Sequence, residues 1–185
     1  METIRFHKSL DEIIFNLQRV KNEINVESII RAVNEIISRK RVFVYGAGRS
    51  GLIAKCFAQR LMHINIESYV IGETINPSVE PGNVVLIISG SGETTSSKCL
   101  GMKAKELGAY LIVITAHPES TLGKLADLII WVPGKTKLIE TESYAPFTSL
   151  FDIASLAVLD SIASEIMGKL GIGEEVIAKR HANLE

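Results

Sequence analysis

The sequence predicts an α/β protein built on a doubly wound parallel sheet, and three observations carry that reading. Short runs at 42–45 (VFVY), 68–71 (SYVI), 84–88 (VVLII), 110–114 (YLIVI) and 127–132 (DLIIWV) are mostly β-branched or aromatic. They are apolar on both faces, as strands covered by helices on either side must be. Helical stretches separate most of them, the alternation that winds strands into one parallel sheet. Two of the strands end in Gly/Ser-rich turns, GAGRSG and SGSGET, that lead into helices.

The elements follow in order. Leu10, Ile13, Ile14, Leu17 and Ile24 recur at helical spacing, as do Ile29, Ile30, Val33, Ile36 and Ile37, so two amphipathic helices open the chain. Residues 50–63 place Ile53, Phe57, Leu61 and Met62 on one helical side, and 95–107 do the same with Leu100, Ala104 and Leu107. PGKTKLIETESYAP (133–146) is a long irregular connection, of a length more often functional than idle. Residues 149–168 form a final long helix through Ile153, Leu156, Leu159, Ile162, Ala163 and Ile166, followed by Gly171, Gly173 and a polar tail. The reading is one domain over 1–185: N-terminal helices to 40, a parallel α/β core over 41–147, and a C-terminal helix and tail over 148–185.

Bulk properties narrow the function. At 185 residues the chain can bury a substantial core. Twenty Lys+Arg against 21 Asp+Glu leave a formal net charge of −1, which argues against nucleic acid or an anionic membrane as partner. Any anion must then be held by local groups. No apolar run approaches the roughly 18 residues of a membrane span. The start, METIRFHKSLDEI, lacks a signal-peptide core, so a cytoplasmic protein is expected. Cys56 and Cys99 have no metal-site spacing and are expected as small buried thiols.

GAGRSG (46–51) fits GxGxxG after a strand, and Glu73 stands near where a ribose-binding acid would be. A dinucleotide site is therefore one reading. The second loop shifts the balance. Ser89, Ser91 and Thr94, with the amides of residues 90–95, would sit at a helix N-terminus, where unpaired N–H groups and the dipole favour an anion. Hydroxyls add neutral donors for phosphate oxygens. A dinucleotide fold needs no such loop after its third strand. The bland alternative is that the glycines only make turns and Thr94 only caps. Two Gly-rich loops on one sheet edge, one bearing Arg49 and one bearing hydroxyls, point instead to a cup for a single small phosphorylated molecule.

GAGRSG, the RLMH run at 60–63, SGSGET and the terminal HANLE resemble the sugar isomerase (SIS) superfamily, and within it the 6-phospho-3-hexuloisomerases, over residues 8–185. The resemblance implies a flavodoxin-like, three-layer α/β/α sandwich with a five-stranded parallel sheet, assembled as a homotetramer from dimers. It implies interconversion of 3-hexulose 6-phosphate and fructose 6-phosphate, in ribulose monophosphate metabolism, with neither metal nor organic cofactor. The partner is then a small sugar phosphate. Carried over by motif, Gly48, Arg49, Ser50, Ser89, Ser91 and Thr94 would form the substrate site, the four hydroxyls on the phosphate.

Moving a carbonyl between C3 and C2 through an enediol needs a base working near neutral pH. In the family a Pro-Met-Gly-Ser/Thr-x-Phe-Glu stretch supplies a glutamate at the head of the last long helix. Here it reads Pro146-Phe147-Thr148-Ser149-Leu150-Phe151-Asp152, making Asp152 the candidate, one methylene shorter and preceded by Thr148 where the family has glycine. Glu140 and Glu142 are the substitutes if the shorter acid cannot reach. The family match also raises His63 and His181 as proton-transfer groups, His181 by reaching a neighbouring subunit. Glu73, in the GET turn after the second strand, faces the same edge by position and either contacts sugar hydroxyls or is simply solvated. His7 and His117 are taken as structural. Another SIS aldose–ketose isomerase and a non-catalytic sugar-phosphate sensor remain open as alternatives.

Overall fold

Two N-terminal helices lead into five parallel strands, most of them separated by helices. A computed structural model describes residues 4–39, 41–138 and 142–184. The apolar runs become β1 (Arg41–Gly46), β2 (Glu67–Val70), β3 (Val84–Ile88), β4 (Tyr110–Thr115) and β5 (Leu128–Trp131). They pair in the order β2-β1-β3-β4-β5, every neighbour parallel. The helices are α1 (Ile4–Glu23), α2 (Val26–Arg39), α3 (Arg49–His63), α4 (Thr95–Glu106), α5 (Thr121–Leu125), α6 (Ser149–Leu170) and α7 (Glu174–Arg180).

Strand side chains alternate between two cores because successive residues face opposite ways. Val42, Val44, Leu86, Ile88, Ile112, Ile114 and Ile130 pack with α2, α3 and α6, and Phe43, Val85, Ile87, Leu111 and Val113 pack beneath α4 and α5. The result is the three-layer α/β/α sandwich with a five-stranded parallel sheet in the flavodoxin-like strand order. Among the described residues no helix is long and apolar enough to cross a membrane.

Several expectations are corrected. α5 is a five-residue helix, too short for apolar periodicity to reveal; its signal is Ser120, whose side chain accepts from the Gly123 amide at 3.2 Å. The polar tail contains α7. α4 turns Ser97, Gly101 and Ala104 inward, and Leu107 is exposed. Small residues let this helix lie close to the Leu122 side chain, so packing distance, not the larger side chain, decides its buried face. Cys56 and Cys99 are exposed free thiols, not buried ones, because they fall off the inward stripes of α3 and α4.

Candidate functional site

β1 leads outward to β2 and the chain then returns to the other side of β1 as β3, so the strand order reverses between β1 and β3. Open parallel sheets bind ligands at that point, outside the strands' carboxyl ends. Both Gly-rich turns lie there, and α3 and α4 begin there, with Gly48 and Thr94 at their N-caps. The N-terminus of α6 joins them. Three helix starts around one space direct unpaired amides and positive dipole ends at it.

They enclose a cavity of about 360 Å³ whose walls include Gly48, Arg49, Ser50, Ser89, Ser91, Thr94 and Asp152. Seven of the residues expected at the site thus line one space. Thr94 takes N-cap backbone geometry, but its hydroxyl makes no capping bond. Ser89 is 4% exposed, and its Oγ has no hydrogen-bond partner among the described residues. Gly92 turns with φ 63°, and a Cβ there would collide with the Ser120 side chain, so the loop needs glycine at this place.

Glu93, the acid of SGSGET, points away from ligand duty. It accepts from the Thr121 amide at 2.7 Å, the Thr121 hydroxyl at 3.0 Å and Lys98 Nζ at 3.1 Å. The Thr121 amide bond first, then Lys98 and the Thr121 hydroxyl, push its pKa down to about 2. It ties the hydroxyl loop to α5.

Asp152 is 2% exposed in the first turn of α6. Its Oδ2 accepts from Thr148 Oγ1 at 2.7 Å and Arg49 Nε at 3.0 Å, and its Oδ1 from Ser50 Oγ at 3.4 Å. Thr148, in the glycine position of the family's stretch, rests at φ −93° and ψ 9°, which any residue can adopt. The positive φ, 41°, falls on Phe147 instead, a bulky residue 66% exposed at the cavity wall. Such a conformation costs on the order of 1–3 kcal/mol and persists only where its surroundings hold it.

Three of the expected residues stand elsewhere. Glu73 pairs with Lys55 Nζ at 2.7 Å, both side chains more than half exposed. His63 closes the 15-residue α3 that begins at the cavity, so helical rise puts it about 21 Å from Arg49. His181 stacks on His63 with ring centroids 5.3 Å apart. Glu142 is exposed in the connection, and Glu140 lies outside the described residues.

The structure adds wall residues that local pattern did not mark: Ser97, Thr136 and Lys137. Ser97 is fully buried, with an Oγ that has no partner among the described residues; the SSK run held its signal, hidden among neighbouring hydroxyls. Thr136 Oγ1 lies 3.0 Å from His117 Nε2, linking that histidine to the wall. Among the described residues no group of three or more His, Cys, Asp or Glu is placed to hold a metal ion.

Strand order and paired loops at the reversal point define a doubly wound α/β domain with a candidate ligand site at its switch point. Residues 35–163 match the SIS domain, and the chain belongs to that family. Within it the chain groups with proteins named 3-hexulose-6-phosphate isomerase. The Bacillus subtilis protein of that name is 40% identical over 177 residues, 94% of this chain and 96% of the relative. The Methanocaldococcus jannaschii one is 38% identical over 152 residues, 82% and 81% of the two chains. A crystal structure from Methanococcus jannaschii, described as inferring a molecular function of 3-hexulose-6-phosphate isomerase, superposes with a TM-score of 0.83. It is 33% identical and covers 98% of this chain and all of its own.

Proposed function

We propose that this chain is an isomerase interconverting 3-hexulose 6-phosphate and fructose 6-phosphate, with the cavity between β1, β3 and α6 as its active site. The observation that carries the reading is a buried carboxylate, Asp152, in the same 360 Å³ space as the hydroxyls of Ser50, Ser89, Ser91 and Thr94. The named relatives at 38–40% identity support it.

The phosphate sits in the hydroxyl cup at the starts of α3 and α4, where hydrogen bonds to a charged group contribute roughly 1.5–3 kcal/mol each. Its charge competes with Asp152 for Arg49, whose side chain is 63% exposed and free to swing. Asp152, released from that cation, takes the proton from C2 of the 3-ulose. The electron pair forms the C2–C3 double bond of an enediolate, and the C3 oxygen gains a proton. Return of a proton to C3 and loss of the C2 hydroxyl proton give the 2-ulose. Thr148, through its 2.7 Å bond, keeps the carboxylate oriented. His63 and His181 take part only where a neighbouring copy in a homotetramer carries them to the cavity.

Proton NMR of fructose 6-phosphate with the protein in D2O tests the reading. Loss of the C3 proton signal, with 3-ulose appearing, is expected. Exchange at C1 with an aldose product would move the activity to aldose–ketose work, and no exchange would remove isomerisation of this sugar.

A further inference from the structure

The N-terminal helix lies outside the sandwich, yet one of its faces grips the segment that carries the base. Arg5, Lys8, Glu12 and Asn16 recur at three- and four-residue spacing and so share one side of α1. Glu12 Oε2 accepts from the backbone amides of Tyr144 at 2.8 Å and Ala145 at 3.0 Å. Asn16 is 6% exposed and donates through Nδ2 to the carbonyls of Pro133 at 3.3 Å and Leu150 at 3.2 Å. Lys8 Nζ donates to Tyr144 Oη at 3.3 Å and lies 4.9 Å from its ring centroid.

These contacts fall at both ends of the connection between β5 and α6. Asn16 joins its first residues to the first turn of α6, two residues from Asp152. Gly134 lets the two ends meet, since a Cβ there would stand 2.8 Å from the Phe151 backbone. Glu12 holds the stretch immediately before Phe147, whose positive φ needs such restraint. Burial pushes the Glu12 carboxyl up, but bonds from Ser143 and the Ala145 and Tyr144 amides, with Lys135 nearby, outweigh it and hold the group below the usual range. Glu12 is therefore an ionised, committed acceptor.

We propose that Glu12 and Asn16 are positioning residues for the reaction, setting the height of Asp152 over the cavity through the 142–150 segment. The proposal rests on Asp152 as base. It explains how an acid one methylene short of glutamate is placed: the connection that presents it is clamped from outside the sheet. Neither residue lines the phosphate cup, so loss of the clamp must act on turnover and not on phosphate binding.

Glu12→Ala and Glu12→Gln, made in the full chain beside Asp152→Asn, test this. Gln keeps an acceptor oxygen for the two amides, and Ala has none. A misplacement near 1 Å costs something like a hundredfold in rate. Glu12→Ala is therefore expected to lower kcat by tenfold to a hundredfold, with the Kd for inorganic phosphate within about twofold of wild type. Glu12→Gln is expected to restore most of the rate. An unchanged kcat in Glu12→Ala, an equal loss of phosphate affinity, or a Gln variant no better than Ala would each overturn the proposal. An active Asp152→Asn would strike the assignment of the base instead. Should the wild type leave fructose 6-phosphate untouched, amide hydrogen exchange at 144–152 decides: faster in Ala but not in Gln upholds the clamp, and equal protection removes it.

Discussion

Replacing Asp152 with asparagine removes the charge of the candidate base and almost nothing else. The side chain is 3% exposed and fits a fixed space, which an isosteric amide fills. Thr148 Oγ1, 2.7 Å from Oδ2, can still donate to an amide oxygen placed there. Arg49 loses the charge of its partner, but its side chain is 63% exposed and water solvates the guanidinium, so the stability change is small. A positioned general base contributes about 10²- to 10⁴-fold, or about 2.7–5.4 kcal/mol of barrier. Asp152→Asn should therefore lose turnover by that factor, read as the rate of C3 proton loss from fructose 6-phosphate in D2O. Phosphate binding should move the other way. With Arg49 no longer shared, inorganic phosphate should bind at least as tightly as to wild type, measured by calorimetry. Retention of more than a tenth of the wild-type exchange rate would refute Asp152 as base and turn attention to the connection that carries Glu142. A large loss of phosphate affinity would refute the competition for Arg49.

Ser91→Ala should weaken phosphate binding by about 1.5–3 kcal/mol, roughly 10- to 150-fold in Kd, with far less effect on turnover at saturation. Inhibition by inorganic phosphate measures it. Glu93→Gln should lower Tm near neutral pH by loosening α5 from the hydroxyl loop. Because the folded pKa lies near 2, below the ordinary 4.5, the carboxylate's contribution is complete above about pH 4.5 and disappears as pH falls towards 2. The Tm gap between wild type and variant, followed by calorimetry across that window, should therefore close at the acid end and not at the neutral end. Removal of residues 181–185 should leave exchange at C3 unchanged in any species that works within one chain. A loss of turnover on truncation, reversed by mixing with Asp152→Asn chains, would instead show that the tail serves a neighbour's cavity.

The sequence by itself determined the layers, the sheet and the edge on which the Gly-rich turns open. Runs apolar on both faces, such as 84–88 and 110–114, can be satisfied only between two helical layers, and a glycine-rich turn after such a run must open on the sheet's carboxyl edge. Those are local rules, legible from neighbours in the chain. The SGSGET hydroxyls and Arg49 were legible for the same reason, since both motifs follow their own strands. What only the tertiary structure decided concerns residues far apart in the chain. Asp152 meets Arg49 and Ser50 because α6 packs back against α3, and no periodicity near residue 152 announces it. Glu73 turned to Lys55, and His63 was carried to the far end of α3, since a helix returning from the carboxyl edge ends at the opposite one. Glu12 and Asn16 fall among the polar positions of an amphipathic helix, and local pattern names no partner for that face. Packing of α1 on α6 gave it the connection to hold, and the buried Asn16 amide and the partly exposed Glu12 carboxylate are satisfied by backbone groups more than a hundred residues away.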